Sequence, residues 1–394
     1  MRVQLARMIP YGRQDITQAD IDAVTEVLRS DWITQGPAIP RFEKRVAAYC
    51  GVEHAVAFNS ATSALHGACA ALGVGPGDAV WTVPNTFVAS ANCARYCGAR
   101  VDFVDIDPVT YNLSVERLSE KLIEAKTAGS LPKVVIPVHF SGRPCDMRAI
   151  HALSKEYGFS IIEDASHAIG ARYLGEPVGN GQYSDITIFS FHPVKIITTG
   201  EGGMATTRNL ALANRLARFR THGITRAASE MVGESEGPWY YQQVELGFNY
   251  RLTDVQAVLG LSQMDRLDAY VARRVALSDR YNRLLEDAPV RLPQRSADGQ
   301  SAWHLYVVRL DPELTVTPRR EAFETMRALG IGVNVHYIPV HLQPYYRELG
   351  FRPGMFPESE KYYTETLSLP LYATLSEEQQ DQVVAALHQA VKRR

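Results

Sequence analysis

Short apolar runs alternate with helix-periodic stretches through the first half of the chain. The runs fall at Ala55–Phe58, Ala79–Val83, Arg100–Val104, Lys133–Val138, Ser160–Glu163, Ile186–Phe191 and Gly203–Thr206. They are rich in apolar and β-branched residues, and turn chemistry separates them: Gly73-Val-Gly-Pro-Gly-Asp78, Asp105-Ile-Asp-Pro108 and Gly142-Arg-Pro144. Such runs read as buried strands. Seven strands with helices between them predict an α/β fold, with a mostly parallel sheet covered on both faces. Ahead of them, residues 15–30 place Ile16, Ile21, Val24, Val27 and Leu28 roughly on one helical face, and residues 41–50 suggest another helix. A helical pattern from Thr253 to Leu285 contains no proline and only Gly260 as an interior break. It predicts a long helix joining a large domain, residues 1–255, to a small α+β domain, residues 256–394. Strands near Trp303–Leu310 and Val333–His336 and helices near Arg319–Leu329 and Ser376–Val391 are expected in the latter.

Composition narrows the partners. The 394 residues carry 41 Lys plus Arg against 43 Asp plus Glu, a net charge of −2. No global field draws the chain to nucleic acid or to an anionic membrane, so an anionic ligand must be held by local groups. No uninterrupted apolar stretch approaches the roughly 18 residues of a membrane span. The opening MRVQLARMIPYG breaks its apolar run with Arg2 and Arg7, which leaves no signal-peptide core. Five cysteines, an odd number, argue for reduced thiols in a cytoplasmic protein. Cys93 and Cys97 have i,i+4 spacing, but no second cysteine pair supports a metal site, and none is expected.

The chemistry gathers where strands end. Asp185–Gly203 reads DITIFSFHPVKIITTGEGG, a buried strand, a turn at Pro193, and then Lys195. A lysine desolvated at a strand end loses pKa toward neutrality and becomes a nucleophile. Asp164 closes an earlier strand in IIEDASHA, at the sheet edge where open α/β sheets bind ligands. A nucleophilic lysine with a sheet-end aspartate is what pyridoxal phosphate requires. Asn59-Ser-Ala-Thr-Ser-Ala64 follows a strand and opens a helix of small residues, a phosphate site by its free N–H groups. Phe87, in PNTFVA, could stack on a flat ligand. Each has a plainer reading: a Ser/Thr helix cap, a core phenylalanine, an N-cap aspartate, and a structural histidine at His167. Only in combination do they favour a cofactor. No P-loop, G-x-S-x-G elbow or H-E-x-x-H is present. The acidic stretch Ala227–Glu236 is either surface loop or substrate lid.

Ordered blocks along nearly the whole chain resemble the sugar aminotransferases of the DegT/DnrJ/EryC family, which are fold type I pyridoxal phosphate enzymes. The blocks include TQGP at Thr34–Pro37, NSATSALH at Asn59–His66, PNTFVA at Pro84–Ala89 and IPVHFSGRPCDM at Ile136–Met147. IEDASHAIGA at Ile162–Ala171, FSFHPVKIITTGEGG at Phe189–Gly203, ELGFNYRLTDVQA at Glu245–Ala257 and VHYIPVH at Val335–His341 complete them. Ser166 stands where the family more often has alanine. The wording is most similar to the branch that aminates a UDP-linked 4-keto-6-deoxy-N-acetylhexosamine for pseudaminic acid.

The resemblance implies that Lys195 is the Schiff-base lysine and that Asp164 partners the cofactor's pyridine nitrogen. It implies that His167 contacts the ring's phenolic oxygen, Phe87 stacks on the ring, and Ala61, Thr62 and Ser190 bind the phosphate. Asn249 would reach the phosphate of a neighbouring subunit, which implies a homodimer with shared sites. Tyr11, Asp31, Trp32, Ile33 and Thr34, with His336, Tyr337, Ile338 and Pro339, match substrate-contact positions. The implied activity is ping-pong transfer of the amine from L-glutamate to the C4 keto group of a nucleotide sugar. Three alternatives stand beside it: a sibling enzyme with another 4-keto nucleotide sugar, a sugar dehydratase and a cofactor-binding regulatory protein. The dehydratases carry histidine in place of the lysine, and the regulatory proteins carry an added DNA-binding domain. Lys195 and the absence of a basic or helix-turn-helix extension disfavour both.

Overall fold

The computed structural model describes residues 8–295 and 298–394. The opening expected to lack a signal-peptide core lies, through residue 7, outside the described residues. Seven strands form one sheet: β1 (His54–Phe58), β2 (Ala79–Thr82), β3 (Arg100–Phe103), β4 (Val134–Ile136), β5 (Ser160–Asp164), β6 (Ile186–Ser190) and β7 (Gly203–Thr207). Their order is β1-β7-β6-β5-β4-β2-β3, and β7 alone runs against the others. All seven were legible as apolar runs, each to within two residues at either end.

Alternate side chains of these strands supply two opposed cores, as a doubly covered sheet requires. Val80, Val101, Ile136, Ile162 and Ile188 face one layer with α3 (Ala61–Ala71), α4 (Ala89–Tyr96) and α7 (Leu210–Phe219). On the other face Trp81, Val135 and Ile161 pack with α5 (Val115–Ala128) and α6 (Met147–Tyr157). Ala57, Phe189 and Met204 pack there with α2 (Ala38–Cys50). Each fully buried Val, Ile or Phe contributes roughly 1.5–3 kcal/mol, so the sheet is a rigid platform for whatever stands at its edge.

The pattern from Thr253 to Leu285 forms two helices rather than one, α8 (Asp254–Met264) and α9 (Leu267–Leu284). The break at Asp265-Arg266 coincides with an ion pair. Arg266 leaves the helical course and its guanidinium meets both oxygens of buried Asp20, on α1 (Gln18–Leu28), at 2.7 Å. Gly260 is no weak point in α8. A Cβ there would stand 2.6 Å from the Phe42 ring, so glycine lets α8 close onto α2.

In the C-terminal part β8 (Tyr306–Arg309) pairs antiparallel with β9 (Thr366–Leu369). α9, α10 (Arg319–Ala328) and α11 (Glu377–Ala390) close a core around them. The expected strand at Val333–His336 is only a single bridge, Asn334 to Ser368. Its backbone carries side chains into the site instead of extending a ladder. The N-terminal stretch also pairs here: Ile9 N–H donates to Gly330 O, Gly332 N–H donates to Ile9 O, and Leu371 N–H donates to Tyr11 O. Among the described residues, no helix is long and apolar enough to cross a membrane.

Candidate active site

The C-terminal ends of β1, β2, β4, β5 and β6 converge on a cavity of about 900 Å³, closed on its far side by residues 334–337. Asp164 ends β5 and Ser190 ends β6, so the sheet register itself places both at the cavity wall. The chain then turns, with Lys195 N–H donating to His192 O and Thr199 N–H to Phe191 O. That turn brings the Lys195 side chain back over the sheet edge, where it lines the cavity. Burial pushes its amine from 10.5 down to about 8, partly offset by the Asp164 carboxylate. At pH 7 about one amine in ten is then neutral, against a few in ten thousand for an unperturbed lysine.

Asp164 is nearly buried, and both of its oxygens are held. Oδ1 accepts from Ser166 N–H at 3.1 Å and Oδ2 accepts from Ser90 Oγ at 2.6 Å. A carboxylate has about four acceptor positions, so capacity remains for an N–H presented from the cavity. The corner suited to an anion lies at α3. Ser60 caps the helix, its Oγ accepting from Ser63 N–H at 3.1 Å, while Ser60 O accepts from Ala64 N–H. The N–H groups of Ala61 and Thr62 have no intrahelical partner, and both residues line the cavity. The cradle is tight: a Cβ on Gly203 would lie 2.5 Å from the Ser60 carbonyl.

His167 sits between these groups and the C-terminal part, next to Tyr337 and His304. Its Nδ1 accepts from Ser141 N–H at 3.2 Å, so the ring proton is on Nε2, which meets the Tyr337 hydroxyl at 3.1 Å. Burial and the nearby Lys195 hold its pKa well below the usual value, so the ring is neutral. His336 is likewise pushed down, to about 3, by burial and Lys195. Phe87 is 58% exposed in the cavity mouth, 6.4 Å from the Tyr337 ring, and not a core phenylalanine.

Tyr11, Ala61, Thr62, Phe87, Asp164, His167, Ser190, Lys195, His336 and Tyr337 therefore share one cavity. Seven expected residues stand apart from its lining. Asp31, Trp32, Ile33 and Thr34 form an exposed turn after α1. Ile338 is exposed, and Pro339 is buried next to Val340, whose N–H donates to Pro84 O. Asn249 is exposed and bridged to Thr221. The acidic stretch at Ala227–Glu236 is tied down by Arg218–Glu230 at 2.7 Å. Sequence reasoning missed Ser90, and also His304, whose ring lies 4.3 Å from that of His167 with Nδ1 unpartnered among the described residues. Nothing local marks either; each is brought in by tertiary packing. No group of three or more His, Cys, Asp or Glu among the described residues could hold a metal.

A nucleophilic amine, a fixed carboxylate and an anion cradle around one slot suit a flat, phosphorylated ligand with a carbonyl and a ring nitrogen. Comparison with known proteins agrees. The model of the DegT/DnrJ/EryC1/StrS aminotransferase family matches residues 14–388. The spore coat polysaccharide biosynthesis protein SpsC of Bacillus subtilis (strain 168) is 40% identical over 387 residues, 98% of this chain and 97% of the relative. Helicobacter pylori PseC, an aminotransferase involved in the biosynthesis of pseudoaminic acid, superposes with a TM-score of 0.89 at 28% identity, over 98% of this chain and 99% of PseC. Spr1654 of Streptococcus pneumoniae has a PMP form that superposes with a TM-score of 0.88 at 31% identity, over 97% of this chain and 98% of the other. It also has a PLP form. With its fold, its strand-end lysine and aspartate and this match across nearly its full length, the chain belongs to the DegT/DnrJ/EryC1/StrS aminotransferase family.

Proposed function

We propose that this chain transfers an amine from L-glutamate to the C4 keto group of a UDP-linked 4-keto-6-deoxy-N-acetylhexosamine, using pyridoxal phosphate. The observation that carries the reading is the convergence of Lys195, Asp164 and the α3 N-terminus on one cavity. When bound there, pyridoxal phosphate supplies an electron sink that lets a proton leave the carbon bearing the amine. Lys195 attaches the cofactor and, once released, moves that proton as a general base and acid. Its lowered pKa suits both duties. Asp164 would keep the ring nitrogen protonated, Ala61, Thr62 and Ser190 would hold the phosphate, and the His167 Nε2–H, which meets the Tyr337 hydroxyl here, would turn to the ring's phenolic oxygen. Phe87 covers the ring face. Neutral His167 and His336 place no cation beside the amine, so burial alone lowers the Lys195 pKa.

The sugar end of the reading rests on Tyr11, His336 and Tyr337 in the cavity and on the likeness to PseC. Asp31, Trp32, Ile33 and Thr34, with Ile338 and Pro339, would join from the rim. Asn249 would serve the site of a second copy. That proposal is supported by its exposure and by Trp239, Tyr241 and Leu246, which leave much apolar surface uncovered nearby. Incubating the loaded protein with glutamate and a panel of 4-keto nucleotide sugars, with product mass as the readout, tests the assignment. Amination of other 4-keto sugars, with the named one untouched, would reassign the substrate to a sibling activity.

A further inference from the structure

A directed chain of hydroxyls runs from Thr86, which lines the cavity, through Ser90 behind the wall to the carboxylate. Ser90 is fully buried in the first turn of α4 and does not itself line the cavity. Its Oγ stands 2.6 Å from Asp164 Oδ2 and 2.8 Å from Thr86 Oγ1. The first distance is in the range of a hydroxyl donating to a charged carboxylate. An ionised carboxylate only accepts, and Ser90 has one proton, so Ser90 donates to Asp164 and its oxygen is left to accept from Thr86. The order Thr86 to Ser90 to Asp164 is thus fixed by donor counting. Each bond in such a chain polarises the next. The local sequence explains the placement: in Pro84–Ser90 the same tight turn, with Ser90 N–H donating to Phe87 O, puts Phe87 in the cavity and Ser90 behind Asp164. The Cys93 thiol, one turn on, donates to Ser90 O and braces the segment.

We propose that Ser90, backed by Thr86, is a positioning residue that fixes Asp164 and decides on which side the proton shared between Asp164 and the cofactor's ring nitrogen resides. This deepens the reading that the cavity takes pyridoxal phosphate, and rests on it. With Ser90 donating, the carboxylate is the weaker base and the proton stays on the ring nitrogen. Without it, the carboxylate is the stronger base and draws the proton from nitrogen to oxygen.

The test is the ¹⁵N resonance of the cofactor's ring nitrogen in protein loaded with [¹⁵N]pyridoxal phosphate, for wild type, Ser90→Ala, Ser90→Thr and Thr86→Val. In wild type it should have the position of a protonated ring. In Ser90→Ala it should move toward that of an unprotonated one, with kcat reduced about ten- to a hundred-fold, as loss of a bond to a charged group implies, and KM for glutamate little changed. Ser90→Thr should restore both, and Thr86→Val should shift the resonance the same way by less. If Ser90→Ala fails to fold or load, Thr86→Val decides. A resonance unchanged from wild type in Ser90→Ala, or in Thr86→Val where that variant decides, would overturn the proposal and leave Ser90 as packing. Failure of the wild-type protein to take up pyridoxal phosphate would instead count against the underlying reading.

Discussion

At the scale of single residues, the proposal gives Lys195 and Asp164 different work from neighbouring strand ends. Replacing Lys195 by alanine should abolish amine transfer by more than about 10³-fold, because nucleophile and proton carrier vanish together. Far-ultraviolet circular dichroism should stay native. Turnover within tenfold of wild type would remove Lys195 from the chemistry. Its lowered pKa, about 8, gives a pH prediction. If the neutral amine attaches the cofactor as proposed, the rate of pyridoxal phosphate uptake by apoprotein should rise with pH and level off above about 8. A rate flat from pH 6 to 9 would contradict a titrating Lys195. Both residues were legible in the sequence because Asp164 closes an apolar run and Lys195 follows one across a short turn, and a charge beside a buried strand end demands explanation. His304 and Ser90 were not. Their neighbours in sequence carry no sign that packing sets one on the His167 ring and the other on Asp164.

At the scale of elements, the anion cradle depends on how closely β7 passes the start of α3. Gly203→Ala would press a Cβ against the Ser60 carbonyl and the Ala61 N–H, both backbone atoms that cannot swing aside. Overpacking of this kind costs roughly 1–3 kcal/mol. The cradle itself must give way, so cofactor affinity measured by fluorescence titration should fall at least about tenfold, and the apoprotein should melt several degrees lower. Unchanged affinity would mean that the phosphate is held elsewhere. The sequence announced α3 by its Asn-Ser-Ala-Thr-Ser cap and the strands by their apolar runs. It did not announce the break between α8 and α9, since Asp265-Arg266 continues the helical pattern. The interruption is bound up with the Arg266–Asp20 pair, a contact across 246 positions. Residues 333–336 likewise read as strand but give one bridge, with residues 334–336 lining the cavity and Val333 packed in the C-terminal core.

At the scale of the whole molecule, the exposed Asn249 and the apolar surface near it make the proposed dimer testable. Asn249→Ala and Lys195→Ala should each be impaired or dead alone. After subunit exchange, a mixture should regain part of the activity, because a heterodimer combines one doubly damaged site with one intact site. No recovery despite confirmed exchange would place Asn249 in its own chain's site. The central claim, that nitrogen passes from glutamate to a 4-keto nucleotide sugar, is tested most directly by an isotope. The protein, loaded with pyridoxal phosphate, is given [¹⁵N]glutamate and the UDP-linked 4-keto-6-deoxy-N-acetylhexosamine, and the sugar product is examined by mass spectrometry. The expected product is an amino sugar nucleotide carrying the heavy nitrogen, with 2-oxoglutarate formed in equal amount. A sugar that has lost a hydroxyl without gaining nitrogen, or an unchanged sugar beside unconsumed glutamate, would contradict it.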